Sequence, residues 1–600
     1  MRYRAGYSHD VSIDSAYLYS EGYTDMVVLT KPLTIGKVYF LMQGVFKHRE
    51  TVGAAFVAEG GDRASNLVQR KIKGLKKAAA GMGLSASTIV KDSYEIRRGR
   101  KIGCPPGELE QLVPGRVLFC DEIVRFMGTF KKNREVADYL QLMYLKHECR
   151  RMPGVGRQPN GRLSCFRCGQ SDGVRPVTCV LCGEDCFECA SCGIMGGSRS
   201  CQALYMFPPG GAVFSGQRDI VPRLEFSLSC AQEKAAQDLE SLVLGTRQRG
   251  ILVWAACGAG KTEITFSSAA WVLSRGGRVL YTAPRRSAVE EIFSRLEKAF
   301  PGVRCACLHG GVDPPSNLAS VPLIAATTHQ VLRFHSAFSL IILDEMDAYP
   351  YIDSPLLQFA VSRALKPGGR MVMMTATPPV ELVRGPCSAT DSVIKIPARF
   401  HGYPLPEPVI IVIGPNSREV LPGVIKRIIH ETLEEDAAQL LVFVPSVADG
   451  FETKEALQKE LDKNTNSSGF GRLVEFSHSR DEEREQKLQR FKNREFPVLV
   501  ATTILERGVN IPRVNVLVLH AHRDNIFETR TLVQLAGRAG RFPDYPAAKV
   551  WFLGSRKTRS MREACNIITH LNEEAIQKGF LNDVRKGAQV TRGFLNILSL

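Results

Sequence analysis

Ala255-Ala256-Cys257-Gly258-Ala259-Gly260-Lys261-Thr262 decides the reading of this 600-residue chain. An apolar run, Gly250-Ile251-Leu252-Val253-Trp254-Ala255, leads into it, and a helical pattern over 263–273 follows. Strand, small-residue loop and helix in that order form a phosphate cradle. Small residues let backbone N–H groups close around phosphate oxygens at a helix N-terminus. The pattern is that of a P-loop with Ala in place of the usual first Gly. Cys257, Gly258, Ala259, Gly260, Lys261 and Thr262 are therefore the candidate nucleotide-binding residues, Lys261 reaching the β/γ-phosphates and Thr262 ligating Mg²⁺. Gln232, near the start of the preceding helix, joins this set.

The rest of a phosphoryl-transfer apparatus follows downstream. Phe338-Ser339-Leu340-Ile341-Ile342-Leu343 is an apolar run that ends in Asp344-Glu345-Met346-Asp347. Carboxylates at the C-terminal end of a parallel strand face the crevice where ligands bind. Asp344 is expected to hold Mg²⁺, and Glu345 to orient and deprotonate the attacking water. Thr375-Ala376-Thr377-Pro378 ends the next strand and can link this site to a nucleic-acid groove. Further on, Gln534-Leu535-Ala536-Gly537-Arg538-Ala539-Gly540-Arg541 reads as helix. Its i, i+4, i+7 spacing would place Gln534, Arg538 and Arg541 on one face. Gln534 then touches the γ-phosphate or water, and Arg538 and Arg541 stabilise charge on the transferring group.

Outward from these motifs the pattern is α/β. Strand-like runs at 251–255, 278–283, 323–327, 340–343 and 371–375 alternate with helical segments. A second set follows at 409–413, 439–444, 474–476, 498–501, 514–519 and 550–553. Continuous apolar strands separated by helices predict parallel sheets covered on both faces. Ser229 is the expected cap of a helix opening at Cys230, and 559–574 reads as helix.

Upstream, Cys165-Phe166-Arg167-Cys168-Gly169, Cys179-Val180-Leu181-Cys182-Gly183, Cys186, Cys189-Ala190-Ser191-Cys192-Gly193 and Cys201 crowd a short segment. Each Cys-x-x-Cys-Gly is a knuckle that offers two thiolates from one tight turn. Two knuckles make one tetrahedral Zn²⁺ site, and spacing alone leaves the pairing open. A second site drawn from Cys179, Cys182, Cys186 and Cys201 stays open as well. Met152-Pro153-Gly154-Val155-Gly156-Arg157-Gln158-Pro159-Asn160-Gly161-Arg162 reads as a linker on composition. The expected divisions are an N-terminal α+β basic region at 1–155, a zinc module at 160–205, two α/β domains at 225–400 and 405–575, and a tail at 576–600.

Net charge is +17, with 17 Cys in total. Such a surplus favours a polyanion, either nucleic acid or an anionic membrane face. Up to residue 160 the chain has 26 Lys and Arg against 16 Asp and Glu. This excess includes the run Arg70-Lys71-Ile72-Lys73-Gly74-Leu75-Lys76-Lys77, and this region reads equally as a nucleic-acid or membrane-contacting surface and as a solvated helix face. The N-terminal residues lack a signal-peptide apolar core, and no run reaches the ~20 apolar residues that span a bilayer. The expectation is a cytoplasmic protein whose cysteines bind metal rather than form disulfides. In the α/β part, Arg285, Thr327, Thr328, His329, Thr503 and Arg507 sit just after strands. They are the candidate contacts to a phosphate backbone, made without sequence preference.

Taken together, these stretches resemble superfamily 2 helicases, and more closely the ComFA family of late competence proteins of Gram-positive bacteria. The resemblance rests on the P-loop through Glu263, Thr327-Thr328-His329-Gln330, Asp344 to Tyr351, Leu357-Gln358-Phe359-Ala360-Val361, Pro404-Leu405-Pro406-Glu407-Pro408, Thr502 to Val509, the 534–541 motif and the cysteine pairs. It covers about 160–570 and implies two tandem RecA-like domains. It further implies an ATP-driven, Mg²⁺-dependent motor stimulated by single-stranded DNA. Such a motor would draw transforming DNA through an uptake channel at the inner face of the cell membrane, with other competence proteins or further copies of itself as partners. For Zn²⁺ the resemblance implies Cys165, Cys168, Cys189 and Cys192. The chain departs from the family pattern by carrying Cys179, Cys182 and Cys186 between those pairs. Two other readings are a replication-restart helicase resembling PriA and a zinc- and DNA-binding adaptor that uses ATP only as a conformational ligand. A cysteine cluster ahead of the P-loop domain argues against the first. The presence of Glu345 and Arg541 argues against the second.

Overall fold

A computed structural model describes residues 107–127, 136–137, 139–140, 143–144, 146–158, 160–210, 219–245, 249–379, 392–414, 423–464, 474–502 and 511–582. It also describes Lys77 and the backbone of six short strands ahead of residue 102. These are β1 (Gly6–Tyr7), β2 (Ser12–Ile13), β3 (Leu18–Tyr19), β4 (Asp25–Val28), β5 (Glu95–Arg98) and β6 (Arg100–Lys101). They form sheets in the orders β2-β1-β4-β5 and β3-β6. Apart from Lys77, the basic run 70–77 lies outside the described residues. Two compact units divide the chain. The first comprises Met1–Val221, Ala269–Ile342 and Ala348–Met371; the second comprises Pro222–Ser268, Leu343–Asp347 and Val372–Leu600.

In the first unit, β7 (Val117–Phe119), β8 (Arg150–Pro153) and β13 (Ala203–Met206) make an antiparallel sheet in the order β7-β13-β8. Val117, Phe119 and Leu204 form its buried apolar face. Between β8 and β13 run two hairpins. One pairs β9 (Val155–Arg157) with β10 (Leu163–Cys165), the other β11 (Val174–Cys179) with β12 (Glu184–Cys189). The stretch 152–162 is therefore not a linker, since β8 and β9 occupy its first half. Gly154 and Gly156 serve packing, while Gly161, with φ +83° and open space around it, serves the turn. A Cβ at Gly154 would stand 2.6 Å from Ser198 Oγ, and one at Gly156 2.7 Å from the Phe166 ring.

The first parallel sheet has strand order β16-β17-β15-β18-β19-β14-β20. Its members are β14 (Gly250–Ala255), β15 (Val279–Ala283), β16 (Cys305–Leu308), β17 (Leu323–Thr327), β18 (Phe338–Leu343), β19 (Leu365–Thr375) and β20 (Ser392–Ile396). Every residue of β15 and β17 is buried, as strands covered on both faces require. β16 and β20, at the two edges, carry no comparable apolar run. β16 alternates buried and half-buried residues, and β20 is held by parallel pairing with β14, Ile251 opposite Ser392 and Ala255 opposite Ile396.

The second sheet lies wholly in the second unit, in the order β21-β26-β25-β22-β24-β23. Its members are β21 (Val409–Val412), β22 (Gln439–Phe443), β23 (Val474–Ser477), β24 (Val498–Ala501), β25 (Val514–Val518) and β26 (Val550–Gly554). Register runs in parallel, with Leu441 between Leu499 and Val516. Leu440, Val442, Val498, Val500, Leu517 and Trp551 pack against Ile425, Ile428, Ile429, Leu457 and Leu461 of two helices. These are two RecA-like parallel-sheet domains behind a cysteine-rich module.

Candidate functional site

Within the second unit, β14 ends at Ala255 and the chain turns through 256–262 into a short 3-10 turn (Glu263–Thr265) and the helix Phe266–Ser274. Ala256 and Ala259 are fully buried, while Gly258 (φ +82°) and Gly260 (φ +69°) take left-handed conformations that suit glycine. Gln232 sets the loop from outside. It lies in the first turn of the helix Cys230–Leu244, capped by Ser229, whose backbone N–H donates to Gln232 Oε1 at 2.9 Å. Its Nε2 donates to Ala259 O at 2.9 Å and Gly260 O at 3.4 Å. The structure thus places Gln232 on the loop's carbonyl side, where it orients the cradle.

β18 carries Asp344 and Glu345 to the same place. Lys261 Nζ stands 3.8 Å from Asp344 Oδ1, both half-buried. Asp344 Oδ1 also accepts from the Glu345 backbone N–H at 2.8 Å. Glu345 itself has φ +51°, a left-handed conformation that costs a non-glycine residue about 1–3 kcal/mol. Asp347 accepts a 2.8 Å hydrogen bond from Thr377 Oγ1, joining the carboxylate motif to Thr375-Ala376-Thr377. Thr262 and Asp344 supply oxygen donors, the chemistry that suits Mg²⁺.

The 534–541 motif also reaches the loop, but not as one helix. The helix Thr529–Ala536 stops before Gly537, so only Gln534 is helical. Arg538 lies in the turn beyond and Arg541 after Gly540, which has φ +62°. The i, i+4, i+7 expectation fails because two glycines end the helix where it meets the P-loop. Cys257 Sγ lies 3.7 Å from Val533 O and 3.6 Å from Gln534 Oε1. Arg541 Cγ lies 3.7 Å from where a Cβ on Gly258 would stand.

Arg399, which the sequence reading missed, holds this junction. It is 1% exposed and donates to Cys257 O (3.1 Å), Ala539 O (2.8 Å), Gly537 O (3.3 Å) and Gly540 O. Burial lowers its pKa to about 10, which still leaves it charged at neutral pH. His401 adds a second clasp. Burial lowers its pKa to about 4, so the ring is neutral. Nδ1 accepts from Tyr403 N (3.1 Å), and Nε2 donates to Gly540 O (3.2 Å). Carbonyl acceptors leave no side-chain signature, so nothing in the sequence singled out Arg399. Gly537 is as tightly placed, since a Cβ there would stand 2.4 Å from Cys257 Cβ. Gly537→Ala is expected to force loop and turn apart and lower kcat for ATP hydrolysis by about tenfold or more, as a misplacement on the order of 1 Å does. Unchanged steady-state turnover would show that the junction yields without cost.

In the first unit, the loop after β17 holds its side chains inward. Thr327 is 6% and Thr328 0% exposed, and Thr328 N donates to Ala283 O at 3.1 Å. His329 is half-buried, and burial lowers its pKa. Arg285 is the N-cap residue of the helix Arg286–Ala299. Thr503 and Arg507 lie outside the described residues.

The first unit also brings Cys165, Cys168, Cys189 and Cys192 together, all buried, with sulfurs within 4.8 Å of one another. Cys165 and Cys192 are 3.7 Å apart and Cys168 and Cys189 3.6 Å. Four sulfurs at the ~2.3 Å Zn–S distance of a tetrahedral site stand about 3.8 Å apart. The donor set and its spacing therefore fit Zn²⁺. Cys179, Cys182, Cys186 and Cys201 form a separate group.

Comparison with known proteins gives three family matches along the chain. Residues 104–206 match the competence protein ComFA N-terminal domain, 231–384 the DEAD/DEAH box helicase domain and 423–543 the helicase conserved C-terminal domain. The first of these begins ahead of the cysteine module and takes in β7. Competence protein ComFA of Bacillus subtilis is 36% identical over 418 residues, which is 69% of this chain and 86% of that protein. Competence protein ComFA of Streptococcus pneumoniae is 32% identical over 456 residues, 73% of this chain and 98% of that protein. ATP-dependent DNA helicase RecG of Streptococcus pneumoniae is 26% identical over 361 residues, 58% of this chain and 51% of that protein.

Proposed function

Because the chain belongs to the competence protein ComFA family, we propose that it is an ATP-driven motor that translocates on single-stranded DNA during uptake of transforming DNA. Its two helicase domains make it an ATP-hydrolysing helicase. Single-stranded DNA as the track and DNA import as the task are the finer reading. Similarity to the ComFA proteins supports that finer reading, and the observation that carries ATP hydrolysis is the convergence on one P-loop. Lys261 lies 3.8 Å from Asp344, Gln534 3.6 Å from Cys257, and Arg541 beside Gly258.

In this reading the loop N–H groups and Lys261 hold the β- and γ-phosphates of ATP. A bound Mg²⁺ would neutralise charge on those phosphates, with Thr262 and Asp344 to hold it. Glu345 takes the proton of the attacking water, and Gln534 orients that water. Arg541 and Arg538 stabilise charge on the transferring phosphoryl group. Arg285 and His329, with Thr503 and Arg507, contact the DNA backbone, while Thr327 and Thr328, whose side chains are buried, position the loop after β17 instead of touching DNA as their place after a strand suggests. The first cysteine tetrad is a structural zinc centre. Among the described residues no helix is long and apolar enough to cross a membrane. We assign work at the inner membrane face to contacts with the uptake channel and other competence proteins, a reading that rests on similarity to the ComFA proteins.

Steady-state ATP hydrolysis tests the reading, with and without single-stranded DNA, duplex DNA, branched duplex and RNA. Strong stimulation by single-stranded DNA, lost in Lys261→Ala with zinc content intact, is the expected result. Stimulation by RNA alone would reassign the track. Stimulation by branched duplex alone would favour a replication-restart role, and nucleotide binding without turnover an adaptor.

A further inference from the structure

We propose that Cys179, Cys182, Cys186 and Cys201 hold a second zinc ion, so that the module binds two Zn²⁺ per chain. Their four sulfurs lie within 4.8 Å of one another, and Cys179 and Cys201 are 3.7 Å apart. That is the sulfur–sulfur edge of a zinc tetrathiolate, about 3.8 Å, and far from the ~2.05 Å of a disulfide.

The second group repeats the local geometry of the first. In the knuckle 165–169, Gly169 takes φ +75° and donates its N–H to Cys165 O at 2.8 Å. In the knuckle 179–183, Gly183 takes φ +69° and donates to Cys179 O at 2.8 Å. The turn that presents two thiolates is thus built twice. The other two sulfurs arrive by strand pairing. Cys179 is opposite Glu184 and Cys186 opposite Val177, so Cys179 and Cys186 are diagonal neighbours on one face of the β11–β12 hairpin. Cys189 lies three residues beyond Cys186 on the same strand and so faces the other way, toward the first site. Cys201 is delivered by the segment 198–200, which runs antiparallel to β12. Glu188 bridges Arg199, Ser200 N donates to Phe187 O at 2.9 Å, and Phe187 N donates to Ser200 Oγ at 3.1 Å.

Each tetrad also has a serine hydroxyl on a sulfur. Ser198 Oγ lies 3.4 Å from Cys165 Sγ, and Ser200 Oγ donates to Cys186 Sγ at 3.2 Å. Such outer contacts orient and stabilise thiolate ligands. Apolar burial does not hold the turn between Cys179 and Cys182, because Val180 is 96% and Leu181 63% exposed. A thiolate-bound metal gives this tip the fixed geometry that a core cannot.

The test is the metal content of the full-length protein, reduced without oxygen, supplied with excess zinc and desalted. The expected result is two zinc ions per chain, falling to one in the double variant Cys182→Ser/Cys201→Ser. Loading wild type with Co²⁺ gives an independent reading that does not rely on variant folding. Thiolate-to-cobalt absorption should saturate at two equivalents, with tetrahedral d–d bands throughout. One zinc per chain in wild type, cobalt saturation at one equivalent, or a Cys179–Cys201 cross-link in unreduced protein by mass spectrometry would overturn the proposal.

Discussion

Glu345→Gln is expected to lower kcat for ATP hydrolysis by about 10²–10⁴-fold, the range that a positioned general base contributes. The substitution keeps size and shape while removing the negative charge and the capacity to take a proton. The Lys261–Asp344 pair at 3.8 Å needs no carboxylate at 345, so nucleotide affinity should change little. Glu345 is held by a backbone bond to Asp344 Oδ1 at 2.8 Å and by its left-handed φ, so the side chain is aimed by the strand end that carries it. The informative readout is the split between terms. A fall in kcat with an unchanged Kd for ATP marks a group that acts on water. A matched loss in both would mean that Glu345 belongs to binding, and a loss of less than about tenfold would remove it from the proton path.

The parts of this molecule that were legible in sequence are those whose signal is local. β24 occupies 498–501 as its apolar run predicts, and the Ser229 cap forms, because burial on both faces and capping act within a few residues. What was not legible depends on partners far along the chain. β20 is a strand because β14 lies beside it, and β8 and β9 are strands because β13 and β10 lie beside them, with Ser198 and Phe166 leaving room for no side chain at Gly154 and Gly156. The 534–541 stretch reads as helix by period. The helix nonetheless ends at Ala536, and at Gly537 beyond it Cys257, about 280 residues earlier, leaves no room for a side chain. Arg399 was invisible for a related reason. Its acceptors are backbone carbonyls, which every sequence has. The cysteine pairing falls between these cases. Knuckles announce metal, but which sulfurs meet is set by the register of β11 on β12 and by the return of 198–201 alongside.

Glu122→Ala is expected to destabilise the first unit by about 3–5 kcal/mol, the cost of leaving buried charges without their partner. One carboxylate oxygen, Glu122 Oε1, accepts from Arg167 Nη2 at 2.9 Å and Arg333 Nε at 2.8 Å, and all three side chains are buried. Glu122 Oε2 accepts from Phe119 N at 3.1 Å. Burial alone would raise the carboxyl pKa, but Arg167 and Arg333 outweigh it and hold it below its ordinary value. A carboxyl depressed in the folded state contributes stability above its unfolded pKa of about 4.3 and loses it as pH falls through the folded value. The stability difference between wild type and Glu122→Ala should therefore be flat from neutral pH down to about pH 5 and shrink below that. Amide exchange in the first unit, compared at matched pH, reads this difference and cancels the protonation of the cysteine cluster common to both proteins. Placement makes the contact matter for function. Arg167 sits inside the first cysteine knuckle, and Arg333 ends the 3-10 turn that begins at Gln330, next to Thr327 and Thr328. Arg363 ties the same two segments, donating to Arg167 O and to Leu332 O. The first cysteine knuckle and the loop that follows β17 thus share one buried set of ions and carbonyls. The milder Glu122→Gln should then keep its zinc while losing part of the stimulation of ATP hydrolysis by single-stranded DNA. Full stimulation in that variant would confine Glu122 to stability alone.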